Sequence, residues 1–307
     1  MAATTPRYTA ADIEVLEGLE PVRKRPAMYI GGTDARGYHH LLWEIVDNAV
    51  DEAINGFARR IEVTLDADHQ GASISDDGRG IPVDVHPRYK RPALELILCT
   101  LHAGGKFASS NYQVSGGLHG VGSSVVNALS EVLDVRVLRD GFEHTQSFSR
   151  GAPTSKIKRG GPTRKHGTIV HFRPDPQIFG RDRRFDADLV RERLEAKAYL
   201  HAGLTIVFRD QATGESTELL HPNGIADFLP KLLGQRGKAV THPNLFYMVR
   251  ETTLRSDNAA DAEARPMKIE AALQWTESTD EYVRSYVNGI PTHSGGSHET
   301  GFGGAIV

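Results

Sequence analysis

Residues 38–55 read YHHLLWEIVDNAVDEAIN. Leu41, Leu42, Ile45, Val46, Ala49, Val50, Ala53 and Ile54 recur at i, i+1, i+4 and i+5, which gathers the apolar side chains on one face of a helix. Gly56 follows as its stop. Glu44, Asn48 and Glu52 are spaced four apart. Each step of four turns a helix by about 40°, so the three share one strip, with Asp47 and Asp51 on the strip beside it. A solvated helix face usually answers such acids with Lys or Arg at i+4, and none occurs between His39 and Ala58. The strip is therefore either a plain solvated face or a seat for a cation. Oxygen ligands such as Asn48 and these carboxylates suit a hard ion like Mg2+, and a carboxylate beside bound phosphates can orient and deprotonate water.

Two further stretches add to this. Asp76-Asp77-Gly78-Arg79-Gly80-Ile81-Pro82 follows a short strand. Its composition fits a plain tight turn, but a carboxylate such as Asp76 at a sheet edge also accepts a hydrogen bond from an exocyclic amine of the adenine type. Ile81 and Pro82 then give a flat ring an apolar wall. The second stretch comprises Gly104-Gly105-Lys106 and the Gly-rich run Gly116–Gly122, which leads into a helix expected over Ser123–Ser130. Glycine at this density is costly unless the backbone needs positive φ or close approach to a ligand. Free N–H groups at a helix start form an anion site, and Lys106 adds charge. The run matches neither GxxxxGK[ST] nor a dinucleotide fingerprint. Together, an acidic strip, an acceptor for an adenine-type amine and two phosphate-cradling loops point to a nucleoside triphosphate with Mg2+.

The rest of the chain frames these motifs. Its 307 residues suggest about two domains, with a boundary at Pro222-Asn223-Gly224 separating 1–222 from 223–307. A polar arm is followed by a short helix over Asp12–Leu19, which Pro21 and Pro26 should break. Strands are expected at Ile61–Leu65, Ala72–Ser75, Thr168–Phe172, Leu204–Arg209, Lys268–Trp275 and Tyr282–Asn288. Val132–Arg139 and Phe142–Phe148 should form a hairpin around Asp140-Gly141. Helices are expected at Ala93–Leu101, Asp186–Leu200 and Ile225–Leu233. These helices are too irregularly placed for a doubly wound parallel sheet, so the expected fold is an α+β sandwich with helices on one face of a mixed sheet. Residues 150–167 read as a loop. Arg150–Arg173 holds seven Lys/Arg and no acid, which suits either DNA phosphates or solvent. His293 and His298 read as part of a solvated Gly/Ser loop. Cys99, the one cysteine, reads as a core residue; it excludes a disulfide framework and a cysteine zinc site and fits a reducing cytosol. A net charge of -3 excludes a strongly basic nucleic-acid coat, and no apolar run is long enough for a membrane span.

Glu44-x3-Asn48, Asp76–Pro82 and Gly117–Gly122 resemble the nucleotide-binding boxes of the GHKL ATPase superfamily. Val22–Gly31, Leu101–Phe107 and Ser115–Gly122 narrow this to a likeness with the ATPase subunit of bacterial type IIA topoisomerases, from Tyr8 to Phe302. Ile13–Arg23 and Glu95–Phe107 lean toward the topoisomerase IV branch over the gyrase branch. The resemblance implies a two-layer sandwich followed by a transducer domain. It implies that Glu44 is the general base, that Asn48 holds Mg2+ and that Glu52 lies near the adenine pocket. Asp76 would read the adenine amine, with Thr168 supporting it through water. Ile81 and Pro82 would wall the base, Gly80 would belong to the ATP site beside them, Arg79 would lie at the pocket mouth, and Tyr112 and Arg139 on the lid and rim. Lys106, Gly117, Leu118, His119, Gly120, Val121 and Gly122 would surround the phosphates. Tyr8, on the arm, would reach a partner's nucleotide. ATP and Mg2+ are the implied ligands. The implied partners are a second copy closing in a nucleotide-dependent dimer, DNA in the full enzyme, and a cleavage subunit of the A type; the implied location is cytoplasmic. Two departures stand out: Ala27 replaces a usual Gly, and the Gln-Thr-Lys loop expected of the transducer does not occur, so the chain reads as a fragment with weak ATPase activity. The rival readings are a nucleotide-sensing module without turnover and another GHKL ATPase or kinase.

Overall fold

The computed structural model describes residues 15–104, 120–254, 265–292 and 294–306. Three helices come first: α1 (Glu20–Lys24), α2 (Ala27–Ile30) and α3 (Ala35–Ile54). The expected helix over Asp12–Leu19 is replaced, within its described part, by irregular chain and a turn. Pro21 sits in the first turn of α1 and Pro26 caps α2, positions where the missing N–H costs nothing, so the prolines begin helices here. The long amphipathic helix starts three residues earlier than its apolar pattern. The Asp34 carboxylate accepts from the Gly37 N–H at 3.0 Å and caps it.

The strands β1 (Arg60–Leu65) and β2 (Ala72–Asp76) follow, then helices α4 (Ala93–Cys99) and α5 (Gly122–Ala128). Next come the hairpin β3 (Ser130–Arg139) and β4 (Phe142–Ser149), the short strands β5 (Ala152–Pro153) and β6 (Lys158–Pro162), and β7 (Gly167–Pro174). Asp140 and Gly141 both have positive φ, as the tight turn between β3 and β4 requires. Helices α6 (Pro176–Phe179) and α7 (Ala187–Leu200) lead to β8 (Thr205–Asp210) and β9 (Ser216–Leu219). Among the described residues the sheet has nine strands, in the order β5-β4-β3-β7-β2-β1-β8-β9 with β6 also paired to β4. Every pairing is antiparallel except β1 with β8, so the sheet is mixed, as expected. The segment read as a loop over 150–167 carries β5 and β6; both are exposed edge strands without an apolar alternation to reveal them.

The core lies between α3, α5 and α7 and the sheet. Leu41, Leu42, Ile45, Val46 and Val50 of α3 are buried with Val126, Leu194, Ile74, Leu133, Phe172 and Phe208. An ion triad ties α1 to this body: Asp175, fully buried, takes Arg23 Nη2 and Arg150 Nε at 2.7 Å each. Those guanidiniums hold its carboxyl below the usual range against the opposing effect of burial.

Beyond β9 lie α8 (Ile225–Arg236), the antiparallel pair β10 (Phe246–Leu254) and β11 (Arg265–Leu273), the short pair β12 (Tyr286–Val287) and β13 (Ile290–Pro291), and α9 (Ser297–Ile306). Strand is confined to Tyr286–Val287 within the stretch expected over Tyr282–Asn288. His298 lies in α9 rather than in a loop. Tyr199 of α7 stacks between His221 and Phe228, and Lys231 pairs with Glu195, which joins α8 to the sandwich. The turn at Gly289 packs on the buried ring of His201, whose pKa desolvation pushes down to about 4.

Candidate functional site: a helix strip, a strand end and a helix start

The strip on α3 meets the end of β2 and the start of α5. Asp76, the last residue of β2, accepts from the Gly78 N–H at 2.8 Å, and the nearby Thr168 backbone also favours its charged form. Burial is the main influence on its carboxyl, the neighbouring Glu52 and Asp77 carboxylates add to it, and the pKa is pushed up to about 7. The turn that follows is fixed at several points. Gly80 has positive φ, Arg139 Nη1 donates to the Gly80 carbonyl at 2.7 Å, and His166 Nδ1 lies 2.8 Å from the Gly78 carbonyl. The Ile81 N–H donates to Thr168 Oγ1 at 3.2 Å, so the Thr168 hydroxyl orders the segment that follows Gly80. Asp77 takes no part in the pocket: it accepts from the backbone N–H groups of Arg59 and Arg60 at 2.7 and 2.8 Å and ties the turn to the start of β1.

The strip is compensated, contrary to the expectation from local spacing. Its cations come from distant segments. Arg79 grips Glu52 with Nη2 at 2.8 Å and Nε at 3.1 Å and lies over the Phe57 ring at 3.6 Å. Lys197 of α7 pairs with Asp47 at 2.6 Å, and Asp51 is buried. That leaves Glu44 and Asn48 to face α5. Asn48 Nδ2 donates to Ser123 Oγ at 3.0 Å, and His40 Nε2 sits 3.0 Å from Glu44 Oε1. A methyl group at Gly122 would overlap the Glu44 carboxylate, so the glycine is what lets α5 begin against it. His40 and Ser123 are absent from the sites expected on sequence grounds. The position of His40, one helical turn before Glu44, is a signal that could have found it; Ser123 emerges only from the packing of α5 on α3.

The structure thus gathers Glu52, Asp76, Arg79, Gly80, Ile81, Arg139 and Thr168 around the end of β2, and sets Glu44 and Asn48 of the same helix against Gly122 and Ser123 at the start of α5; Pro82, Gly120 and Val121 adjoin these residues in the chain. Tyr8, Lys106, Tyr112, Gly117, Leu118 and His119 lie outside the described residues. Among the described residues no group of three or more His, Cys, Asp or Glu is placed to hold a metal. The donor set fits Mg2+ in another way. Asn48 carries an amide oxygen, the hard donor type that Mg2+ takes, and such an ion completes its shell with water and phosphate oxygens.

An acceptor at a strand end, a carboxylate and an amide on a helix strip, and a glycine-started helix facing them on an α+β sandwich define a GHKL-type ATPase domain. Known proteins agree. Residues 33–178 match the family of histidine kinase-, DNA gyrase B- and HSP90-like ATPases, and residues 224–307 match the DNA gyrase B family. The topoisomerase IV B protein of Caulobacter vibrioides is 48% identical over all of this chain and 44% of its own length. The DNA gyrase B protein of Thermotoga maritima is 47% identical over 96% of this chain and 45% of its own. The crystal structure of the 43K ATPase domain of Thermus thermophilus gyrase B in complex with an aminocoumarin is similar with a TM-score of 0.75 and 40% identity, covering 94% of this chain and 70% of that one. The chain belongs to the family of gyrase B and topoisomerase IV B ATPase regions. It spans less than half the length of the curated relatives it matches.

Proposed function

We propose that the chain is the ATP-operated gate of a bacterial type II DNA topoisomerase, in which nucleotide binding and hydrolysis drive strand passage. The observation that carries this reading is that helix α3 sets Glu52 against the Asp76 turn, and Glu44 and Asn48 against the start of α5. Asp76 would accept from the adenine amine, Ile81 and Pro82 would wall the ring, and Arg79 and Arg139 would hold the rim. The backbone of Gly120–Gly122, together with Lys106 and Gly117–His119, would receive the phosphates.

For hydrolysis, the Glu44 carboxylate accepts a proton from water as the water oxygen bonds to the γ-phosphorus. The bond from that phosphorus to the β–γ bridging oxygen breaks, and ADP leaves with the bridging electrons. His40 would hold the Glu44 carboxylate and Ser123 the Asn48 amide in place. Mg2+ held by Asn48 and the phosphates would neutralise charge developing on the phosphate oxygens. Residues 1–222 would form the nucleotide-binding unit with its arm, and 223–307 part of the transducer. A second copy, DNA, a cleavage subunit of the A type and a cytoplasmic setting belong to the same proposal. No helix among the described residues is long and apolar enough to cross a membrane.

Single-turnover hydrolysis of ATP by the chain tests the proposal. Glu44→Ala should lower the rate by about 100-fold or more and leave the affinity for a non-hydrolysable analogue unchanged. A rate close to that of the unaltered chain contradicts the assignment of Glu44.

A further inference from the structure

The run from His144 to Pro174 contains no acid, and the structure divides its cations into two kinds. Arg150 and Arg173 are neutralised: Arg150 Nε lies 2.7 Å from Asp175, and Arg173 reaches Asp66 at 2.9 Å and Asp68 at 2.7 Å. Lys156, Lys158, Arg159, Arg164 and Lys165 are different. All five are exposed, and none forms an ion pair among the described residues. They lie on and around β6, which pairs with β4 through Thr145↔Lys158 and His144↔Arg159 at the margin of the sheet. The Arg159 guanidinium lies over the Phe142 ring, 3.4 Å from its centroid. The nearby carboxylates Glu143 and Asp140 are 3.5 and 3.4 Å from Arg136 and Arg139, so they already have cations of their own. Elsewhere, Arg60 and Arg209 on the sheet and Arg79 in the turn after β2 each meet a carboxylate.

Charges on an edge strand also prevent strand pairing between molecules. Gly160-Gly161-Pro162 already serves that end, and it does not call for five charges of one sign. In a chain whose net charge is -3, such a strip is a local positive field fit for a polyanion. We infer that this sheet margin, Lys156 to Lys165, is a contact surface for the phosphates of duplex DNA. The inference rests on the reading of the chain as part of a DNA topoisomerase, from which it takes the partner.

The test is fluorescence anisotropy of a labelled duplex of about 40 base pairs with the 307-residue chain, over a salt series from about 50 to 200 mM. Three phosphate contacts should contribute about 2.7 to the slope of log affinity against log salt. The triple variant Lys156→Gln, Lys158→Gln, Lys165→Gln should therefore lose about that much slope and bind more than tenfold more weakly at low salt. The pair Lys158→Glu, Lys165→Glu keeps the edge charged against strand pairing and should abolish duplex binding. Calorimetry with an ATP analogue on the same variants serves as the fold control. Unchanged slope and affinity in variants that still bind nucleotide overturn the surface and leave the gate reading standing. Duplex binding through these residues by a chain that binds no nucleotide supports the surface and contradicts the gate. Tighter binding to phosphatidylserine vesicles than to the duplex also overturns it.

Discussion

Asp76 carries opposite consequences for stability and for binding. Its carboxyl titrates near 7 because burial and the Glu52 and Asp77 charges favour the neutral form. A folded-state pKa raised above the unfolded value of about 3.9 gives stability that is present below that value and is lost as pH rises through 7. The ionised carboxylate is the stronger acceptor for an adenine amine. Thermal stability should therefore fall between about pH 4 and 7 and level off above that, while nucleotide affinity rises between about pH 6 and 8, and Asp76→Asn should flatten both trends; calorimetry and thermal melts across about pH 4 to 8 read them. Gly122 gives a second outcome at this scale. Gly122→Ala should push the Glu44 carboxylate aside and lower ATP turnover by about 10-fold or more while the fold survives, checked by single-turnover rates beside circular dichroism. The nucleotide reading is legible in the sequence because each residue sits in a short motif. The pairing of Glu52 with Arg79 and of Asp47 with Lys197 is not, since spacing on one helix says nothing of cations delivered from 27 and 150 residues away.

Among the elements, a strong period or a fixed turn chemistry is legible and a tertiary cause is not. The α3 stripe, the Asp140-Gly141 hairpin and the Asp186 cap of α7 need only local information. The strands β5 and β6 are held by pairing to β4 with little apolar content of their own. Helix α9 forms in a glycine-rich stretch that propensity disfavours, where Glu299 Oε2 accepts from Ser285 Oγ at 2.7 Å and anchors it. The run Phe246–Val249 in β10 does carry a readable strand composition. The short helix α1 depends on the Asp175 triad rather than on its own length. Asp175→Ala should cost about 2 kcal/mol, since both guanidiniums keep some access to water. Because its pKa is lowered, the triad's contribution is present above about pH 4 and is lost as pH falls through the folded value. Denaturant titration of both proteins at neutral and acidic pH should show the difference narrowing in acid.

Over the whole molecule, the mixed sheet with helices packed on it is legible from the order and type of elements. The way the later elements meet the sandwich is not. The stacking of Tyr199 between His221 and Phe228 and the seating of Gly289 on His201 join segments that no local pattern relates. These contacts link the acidic strip on α3 to the region beyond β9, because α7 supplies both Lys197, which holds Asp47, and Tyr199. The proposed gate requires that one site built on α3, β2 and α5 take ATP with Mg2+ and read its base through Asp76. Calorimetric titration of the chain with a non-hydrolysable ATP analogue, with and without Mg2+, beside the Asp76→Asn variant, decides this. Mg2+ should strengthen binding, and the substitution should weaken it by about 10-fold or more; analogue binding of equal strength in the two proteins would place the base elsewhere and refute the reading.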